Sequence, residues 1–288
     1  MPHGGLRACF MSTVNWSQSP GPPLRAPLFW IVPCVFLAGC ATLPDGRLWG
    51  ETATISPGRE RVRAAAVQAV HDPWVWAPLA GAAVLQFNSW DRKISTWAMR
   101  ETPVFGSQQS ASDWSDDLRS AAVIAEFTTV LLTPSGTEAH TWIVNKAKGL
   151  AVDLVAARTT YEMTTLLKAA TGRTRPSGED DRSFPSGHAV TSATYGRLAA
   201  RNLEFLDVKP ATRQRLVYGL DAVTVATAWA RVEAGAHYPS DTLFSIALGN
   251  FAANFFKNAF MGSAGSPNQD VAVVPADDGL MLRFSARF

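Results

Sequence analysis

The chain has 288 residues, 47% hydrophobic and 17% charged, with a formal net charge of +2. That is a globular composition with room for one large domain or two small ones, and so small a charge argues against a nucleic-acid partner, which needs a clustered basic surface. The three cysteines, Cys9, Cys34 and Cys40, fall in the first forty residues, so the body beyond them has no thiol for a disulfide, a metal or a nucleophile.

In chain order, an apolar stretch runs from Ala26 to Gly39 behind Arg25. It is too short and too proline-broken for a spanning helix. Its end, Leu37-Ala38-Gly39-Cys40, resembles the lipobox of bacterial lipoproteins. That resemblance implies that residues 1–39 are a signal segment absent from the mature protein and that Cys40 carries a lipid anchor. An ordinary secretory signal, or a buried helix with a chance cysteine, are the alternatives. The leader before Arg25 is long for a signal, so translation can start at Met1 or Met11. Ala41 after the cysteine, by analogy, suits the periplasmic face of the outer membrane of a Gram-negative cell. Residues 40–58, with Pro44, Gly46, Gly50, Pro57 and Gly58, read as an extended tether.

The body, 59–260, reads as mostly α, without internal repeats. Arg59 to Val70 is rich in helix formers, and Asp72-Pro73 closes it and opens the next element. Trp74 to Phe87 is its longest apolar run; at 14 residues it is short of the roughly 20 a bilayer span needs. It is expected to be a buried helix in a bundle, or a membrane-apposed one, continuing amphipathically through Asp91, Ile94 and Trp97. Ser112 or Asp113 is expected to cap a helix over Trp114–Leu132, and Thr137 the next one, which runs to about Ala170 with Leu150, Leu154, Ala157, Tyr161 and Leu167 facing the core. Thr242 to Phe260 is a further apolar helix, with Phe244, Leu248, Phe251 and Phe255 near one face.

Three patterns inside this body concentrate chemistry. Lys168, six residues, then Arg175-Pro176 lies at a helix end, where cations suit the dipole; alone, it reads as an ordinary basic terminus. Pro185-Ser186-Gly187-His188 leads into the small-residue run Ala189-Val190-Thr191-Ser192-Ala193, so Ser186, Gly187 and His188 sit at a helix N-terminus. There the free N–H groups attract an oxyanion, Gly187 permits close approach and Ser186 adds a hydroxyl; a plain serine cap before a surface histidine fits equally well. Arg231, five residues, His237, three residues, Asp241 places His237 on a turn and Asp241 in the first turn of a new helix. A carboxylate so close can accept from one imidazole nitrogen and leave the other a better nucleophile, or can be a structural contact only.

The three together resemble the type 2 phosphatidic acid phosphatase and vanadium haloperoxidase superfamily, whose signature is K-x6-R-P, P-S-G-H and S-R-x5-H-x3-D in that order. Every spacing matches; the one departure is Ala230, where the family has serine before the arginine. The resemblance covers roughly residues 150–255. It implies an all-α helical bundle of the acid phosphatase and haloperoxidase type. By the same resemblance His237 attacks phosphorus and forms a phosphohistidine, oriented by Asp241, and His188 is acid and then base. Lys168, Arg175 and Arg231, with Ser186 and the Gly187 amide, would hold the phosphate oxygens. Arg173 is a further cation nearby that the signature does not require.

A phosphate monoester carries nearly two negative charges, which three cations from separate elements can offset with no metal. The acidic run Glu179-Asp180-Asp181 reads as a solvated loop rather than a ligand group. The expected activity is therefore metal-independent hydrolysis of a phosphate monoester or diphosphate, of a phosphorylated lipid or a small soluble ester, without cofactor. A vanadium-dependent haloperoxidase, with vanadate as cofactor in the same pocket, and a non-catalytic outer-membrane lipoprotein are the competing readings. Residues 261–288 read as a linker and a β-hairpin, Val271–Val274 and Leu280–Phe288 around Pro275-Ala-Asp-Asp-Gly279. The terminal Phe288 on an alternating strand resembles the ends of outer-membrane barrels, but two strands cannot close a barrel.

Overall fold

The computed structural model describes residues 46–262, 269–276 and 279–286; the expected signal segment, Cys40 and the start of the expected tether lie outside them. Among the described residues there are eight α-helices: α1 (Arg59–His71), α2 (Pro73–Leu85), α3 (Trp90–Glu101), α4 (Gln108–Leu132), α5 (Ala139–Thr171), α6 (Gly187–Asn202), α7 (Pro210–Glu233) and α8 (Pro239–Phe256). The protein is all-α in its body, as the patterning implies. Two strands follow, Gln269–Ala276 and Gly279–Ala286, paired antiparallel with Val271 opposite Phe284 and Val273 opposite Leu282.

Helix α6 lies in the middle, with α4, α5, α7 and α8 packed around it and α2 on the outer side of α8. Small side chains allow this: Ala189, Ala193, Ala199 and Ala200 are buried along α6. At the crossing with α8, a Cβ on Gly249 would meet the Ala193 Cβ at 2.7 Å and the Val190 carbonyl oxygen at 2.8 Å. The two backbones can approach this closely only because that residue is glycine.

The helical character of the body follows the sequence reading, but several boundaries and faces differ. The run expected to continue from Trp74 through Trp97 breaks at a short 3-10 turn, Phe87–Ser89, where Asn88 and Ser89 take left-handed φ values of 51° and 56°. Nor is α2 buried within the bundle: Val75 is its one buried residue, while Trp76, Leu79 and Val84 are exposed. Helix α4 starts earlier than expected, at Gln108, because the Ser107 hydroxyl accepts from the Ser110 N–H at 3.0 Å. Glu138, not Thr137, precedes α5, without a side-chain cap.

The buried face of α5 is also not the expected one. Leu154 and Tyr161 point outward, and Gly149, Asp153, Ala156, Thr160 and Thr164 face in. The helical period is as read; the face is rotated by about one residue, because what α5 packs against demands small and polar groups rather than leucines. On α8 likewise, the inner face is Ser245, Ile246, Gly249, Asn250 and Ala253, and Phe244, Leu248, Phe251 and Phe255 are only half-buried.

What sits against α5 is Trp49, which is fully buried. The expected tether is therefore docked from Trp49 onward: its N–H donates to the Pro134 carbonyl at 2.7 Å, and the Thr54 N–H to the Phe260 carbonyl at 2.8 Å. The indole Nε1 donates to Asn202 Oδ1 at 2.8 Å. Around that contact lies a buried polar cluster, with Lys257 Nζ 2.7 Å from Asn202 Oδ1 and 2.8 Å from Asp153 Oδ1, and Asn202 Nδ2 donating to Glu126. Burial and the neighbouring Asp153 push the Glu126 carboxyl well above the usual range. Among the described residues, no helix is long and apolar enough to cross a membrane.

Candidate active site

Lys168 rides the last turn of α5, which ends at Gly172 with φ 50°. The loop that follows folds back on itself: the Ser183 N–H donates to the Arg173 carbonyl at 2.8 Å and the Arg175 N–H to the Asp180 carbonyl at 2.9 Å. The acidic run is part of that fold. Asp180 Oδ1 accepts from Arg175 Nε at 2.6 Å and from the Arg182 N–H at 2.9 Å, and Asp181 accepts from the Thr174 hydroxyl at 2.6 Å. Lys168 Nζ donates to the Arg182 carbonyl at 2.5 Å. Partial burial, reinforced by Arg175 and Arg182, brings the Lys168 ammonium down to about 8.

Ser186 is the N-cap of α6, fully buried, its hydroxyl accepting from the Ala189 N–H at 3.4 Å and its own N–H donating to the Ser245 hydroxyl at 2.8 Å. Its amide is thus committed to the fold, while its hydroxyl, the group expected to donate to an anion, only accepts in the cap contact. The N–H groups of Gly187 and His188 follow in the first turn, where no carbonyl of the helix can reach them. From the last turn of α7, Arg231 enters buried, with Nη1 3.1 Å from Ser115 Oγ and 3.4 Å from Ser112 Oγ. Among the described residues, its Nε is buried with no hydrogen-bond partner.

The chain then turns through Gly235 and delivers His237, 2% exposed, ahead of α8. Nδ1 of His237 hydrogen-bonds the Ser183 carbonyl oxygen. A carbonyl only accepts, so Nδ1 carries the proton and Nε2 keeps its lone pair. Burial holds the imidazole well below its usual range, and Lys168, Arg231 and Arg175 push in the same direction. The three cations thus act on the one ring in the same sense.

The direct Asp241–His237 contact implied by the resemblance is not what the structure holds. Asp241 Oδ2 accepts from the Ser183 hydroxyl at 2.6 Å and from the Tyr238 N–H at 2.9 Å, and Oδ1 is taken by Arg173. As the third residue of α8, Asp241 reaches back to the free N–H at the helix start, and it reaches His237 only through Ser183. Burial raises its carboxyl above the ordinary range, opposed by Ser183 and Arg173.

Several site residues were not singled out by the motifs. Arg173 bridges Asp241 to Asp91 of α3, with Nη2 2.7 Å from Asp91 Oδ2, and its guanidinium stacks 4.1 Å from the Tyr238 ring centroid. Asp91 in turn accepts from the Ser240 N–H at 2.8 Å. Asp116 of α4 lies 2.9 Å from Nε2 of His188. The sequence signal that could have brought α4 to the site is a polar stripe, Ser112, Ser115, Asp116 and Arg119, at helical spacing; Asp91 and Ser183 left none, since their partners are distant in the chain. His188 is held below its usual range by burial first and Arg231 second. Among the described residues, no group of three or more His, Cys, Asp or Glu could hold a metal ion.

Comparison with known proteins gives two likenesses. One solved structure, a transmembrane PAP2-type phosphatidylglycerolphosphate phosphatase from Bacillus subtilis, is similar with 22% identity and a TM-score of 0.49 over 67% of this chain and 94% of that one. No curated protein matches. The family model described as the PAP2 superfamily matches residues 150–263, a span that contains Lys168, Arg175, Ser186, Gly187, His188, Arg231, His237 and Asp241. Over residues 150–263, therefore, this chain is similar to the PAP2 superfamily.

Proposed function

We propose that the protein hydrolyses phosphate monoesters or diphosphates through a phosphohistidine on His237. The observation that carries this reading is the Nδ1–H to Ser183 carbonyl hydrogen bond, which leaves Nε2 as the lone-pair nitrogen of a ring that burial and three cations keep unprotonated. The buried Arg231 Nε, with no acceptor among the described residues, suits an anion in the same place.

In this reading Nε2 of His237 attacks phosphorus while the ester oxygen leaves with a proton from His188. Lys168, Arg175, Arg231 and the Gly187 amide offset the charge that builds on the non-bridging oxygens. Water then attacks the phosphohistidine, gives its proton to His188, and the P–N bond breaks to release phosphate and restore both imidazoles. Asp241 orients the nucleophile at one remove, by holding the Ser183 hydroxyl and hence its carbonyl. With three side-chain cations supplying the positive charge, no metal is required in this scheme. The substrates we propose are phosphorylated lipids, presented to a protein that a lipid on Cys40 holds at the periplasmic side of the outer membrane.

The test uses purified protein and an aryl phosphate. Phosphate release in the presence of a chelator, loss of at least about 10³-fold in His237→Ala, and an acid-labile phosphoryl group on His237 after rapid quench are expected. Full activity in His237→Ala would sink the mechanism. Vanadate is expected to inhibit; halide oxidation switched on by vanadate would instead favour the haloperoxidase.

A further inference from the structure

Asp116 stands outside the three motifs and outside the matched span, on a helix that contributes one whole wall of the site. Ser112, Ser115, Asp116 and Arg119 recur three and four residues apart, so they share one face of α4. That face meets Arg231 through the two serine hydroxyls and His188 through the carboxylate, at 2.9 Å. Arg119 Nη2 lies 2.9 Å from the same Oδ1, so the carboxylate is braced from its own helix.

The charges around His188 make this contact consequential. Burial favours the neutral ring most, and Arg231 from α7 and Arg119 from α4 act the same way; Asp116 acts in the opposite sense, through its hydrogen bond and its charge. Lys168 and Arg175 act instead on His237. A general acid must hold its proton when substrate arrives, so a half-buried histidine that feels two arginines needs a carboxylate to serve as one.

We propose that Asp116 is the positioning residue of His188, keeping a proton on Nε2 so that Nδ1 is the atom that exchanges a proton with the substrate. This rests on the reading of His188 as the proton partner of His237. In the first step the Nδ1 proton passes to the leaving oxygen as the P–O bond breaks and the bond from His237 Nε2 to phosphorus forms. In the second, a water proton returns to Nδ1 as the P–N bond breaks. Throughout, the Nε2 proton stays in the hydrogen bond to Asp116, which fixes the ring and stabilises its cationic form.

The experiment uses Asp116→Asn, nearly isosteric at a carboxylate that is 54% exposed, and Asp116→Glu as the conservative control. First, the His188 imidazole is titrated by NMR in isotopically labelled protein: Asp116→Asn should lower its pKa and Asp116→Glu largely restore it, whereas an unchanged titration overturns the proposal. Second, kcat/KM is measured across phosphate esters of graded leaving-group basicity. Asp116→Asn should lose about tenfold or more with alkyl esters, consistent with general acid catalysis, and little with acidic phenols, which leave without a proton. An equal loss along the series marks a merely structural role and overturns the proposal. Full turnover in His237→Ala would refute the phosphatase mechanism separately, while the His188 titration still decides the Asp116 contact.

Discussion

Ser183 and His237, 54 residues apart in the chain, meet through one hydrogen bond from the imidazole Nδ1 to a backbone carbonyl oxygen. Because the acceptor is backbone, no side-chain substitution removes it. It is tuned through the Ser183 hydroxyl, which donates to Asp241. Ser183→Ala should therefore lower kcat by about 10–100-fold with KM little changed, the range seen when an orienting partner is removed. Steady-state kinetics on an aryl phosphate checks the split; a rise in KM alone would point to binding instead.

Arg231 presents a guanidinium whose Nε has no partner among the described residues, next to two serine-bound Nη1 contacts. Arg231→Lys keeps a charge but loses the planar fork. A fall in kcat/KM of about 10²–10³-fold is expected, as for loss of one transition-state donor, together with weaker inhibition by vanadate. Equal activity in the lysine variant would remove Arg231 from the phosphate site.

Lys168 titrates near 8 rather than in the usual lysine range. It is cationic below that pH and neutral above it, so the affinity for inorganic phosphate should weaken as pH rises past about 8 in the free enzyme. Lys168→Arg, whose side chain stays charged throughout, should abolish that limb. Product-inhibition constants from pH 6 to 10 provide the measurement, and an identical limb in both proteins would assign it elsewhere.

The buried cluster around Glu126 yields a stability prediction with a definite sign. A carboxyl raised in the folded state favours folding at acid pH and loses ground as pH rises above its unfolded value of about 4.3, where the unfolded chain ionises first. Glu126→Gln removes that loss, and its amide can still accept from Asn202. Its Tm should exceed the parent's near pH 8, by about 2–4 °C for each kcal/mol gained, and the two should converge below about pH 4. Thermal unfolding at both pH values decides it.

Gly149 lies under Trp49, and a Cβ there would come within 2.4 Å of the indole ring. Gly149→Ala should destabilise by about 1–3 kcal/mol through overpacking, despite alanine's better helix propensity. A denaturant midpoint at or above the parent's would show that Trp49 is not seated against α5.

The chemistry was legible because it is local: Lys168 to Arg175, the Ser186 cap and Arg231 to Asp241 are each contained within one helix end and its turn. Helical periods and glycine or proline stops were legible for the same reason. Faces were less so. On α5 the apolar residues pointed to Leu154 and Tyr161, but the actual neighbours, Trp49 and Lys257, favour Gly149 and Asp153 inside. Ser107 rather than Ser112 caps α4 because several serines and an aspartate there are all competent, and packing selects among them.

By itself, then, the sequence determined an all-α body and the residue types, order and spacing of one candidate site, since helix periodicity and capping depend on neighbours a few residues away. Only the tertiary structure decided which partner each group has. It gave His237 a backbone carbonyl in place of Asp241, His188 the carboxylate of Asp116, and Asp241 the guanidinium of Arg173. The reason is physical: hydrogen-bond partners are chosen by distance and burial in space, and α3, α4 and α8 come together only when the small residues of α6 let the bundle close around it.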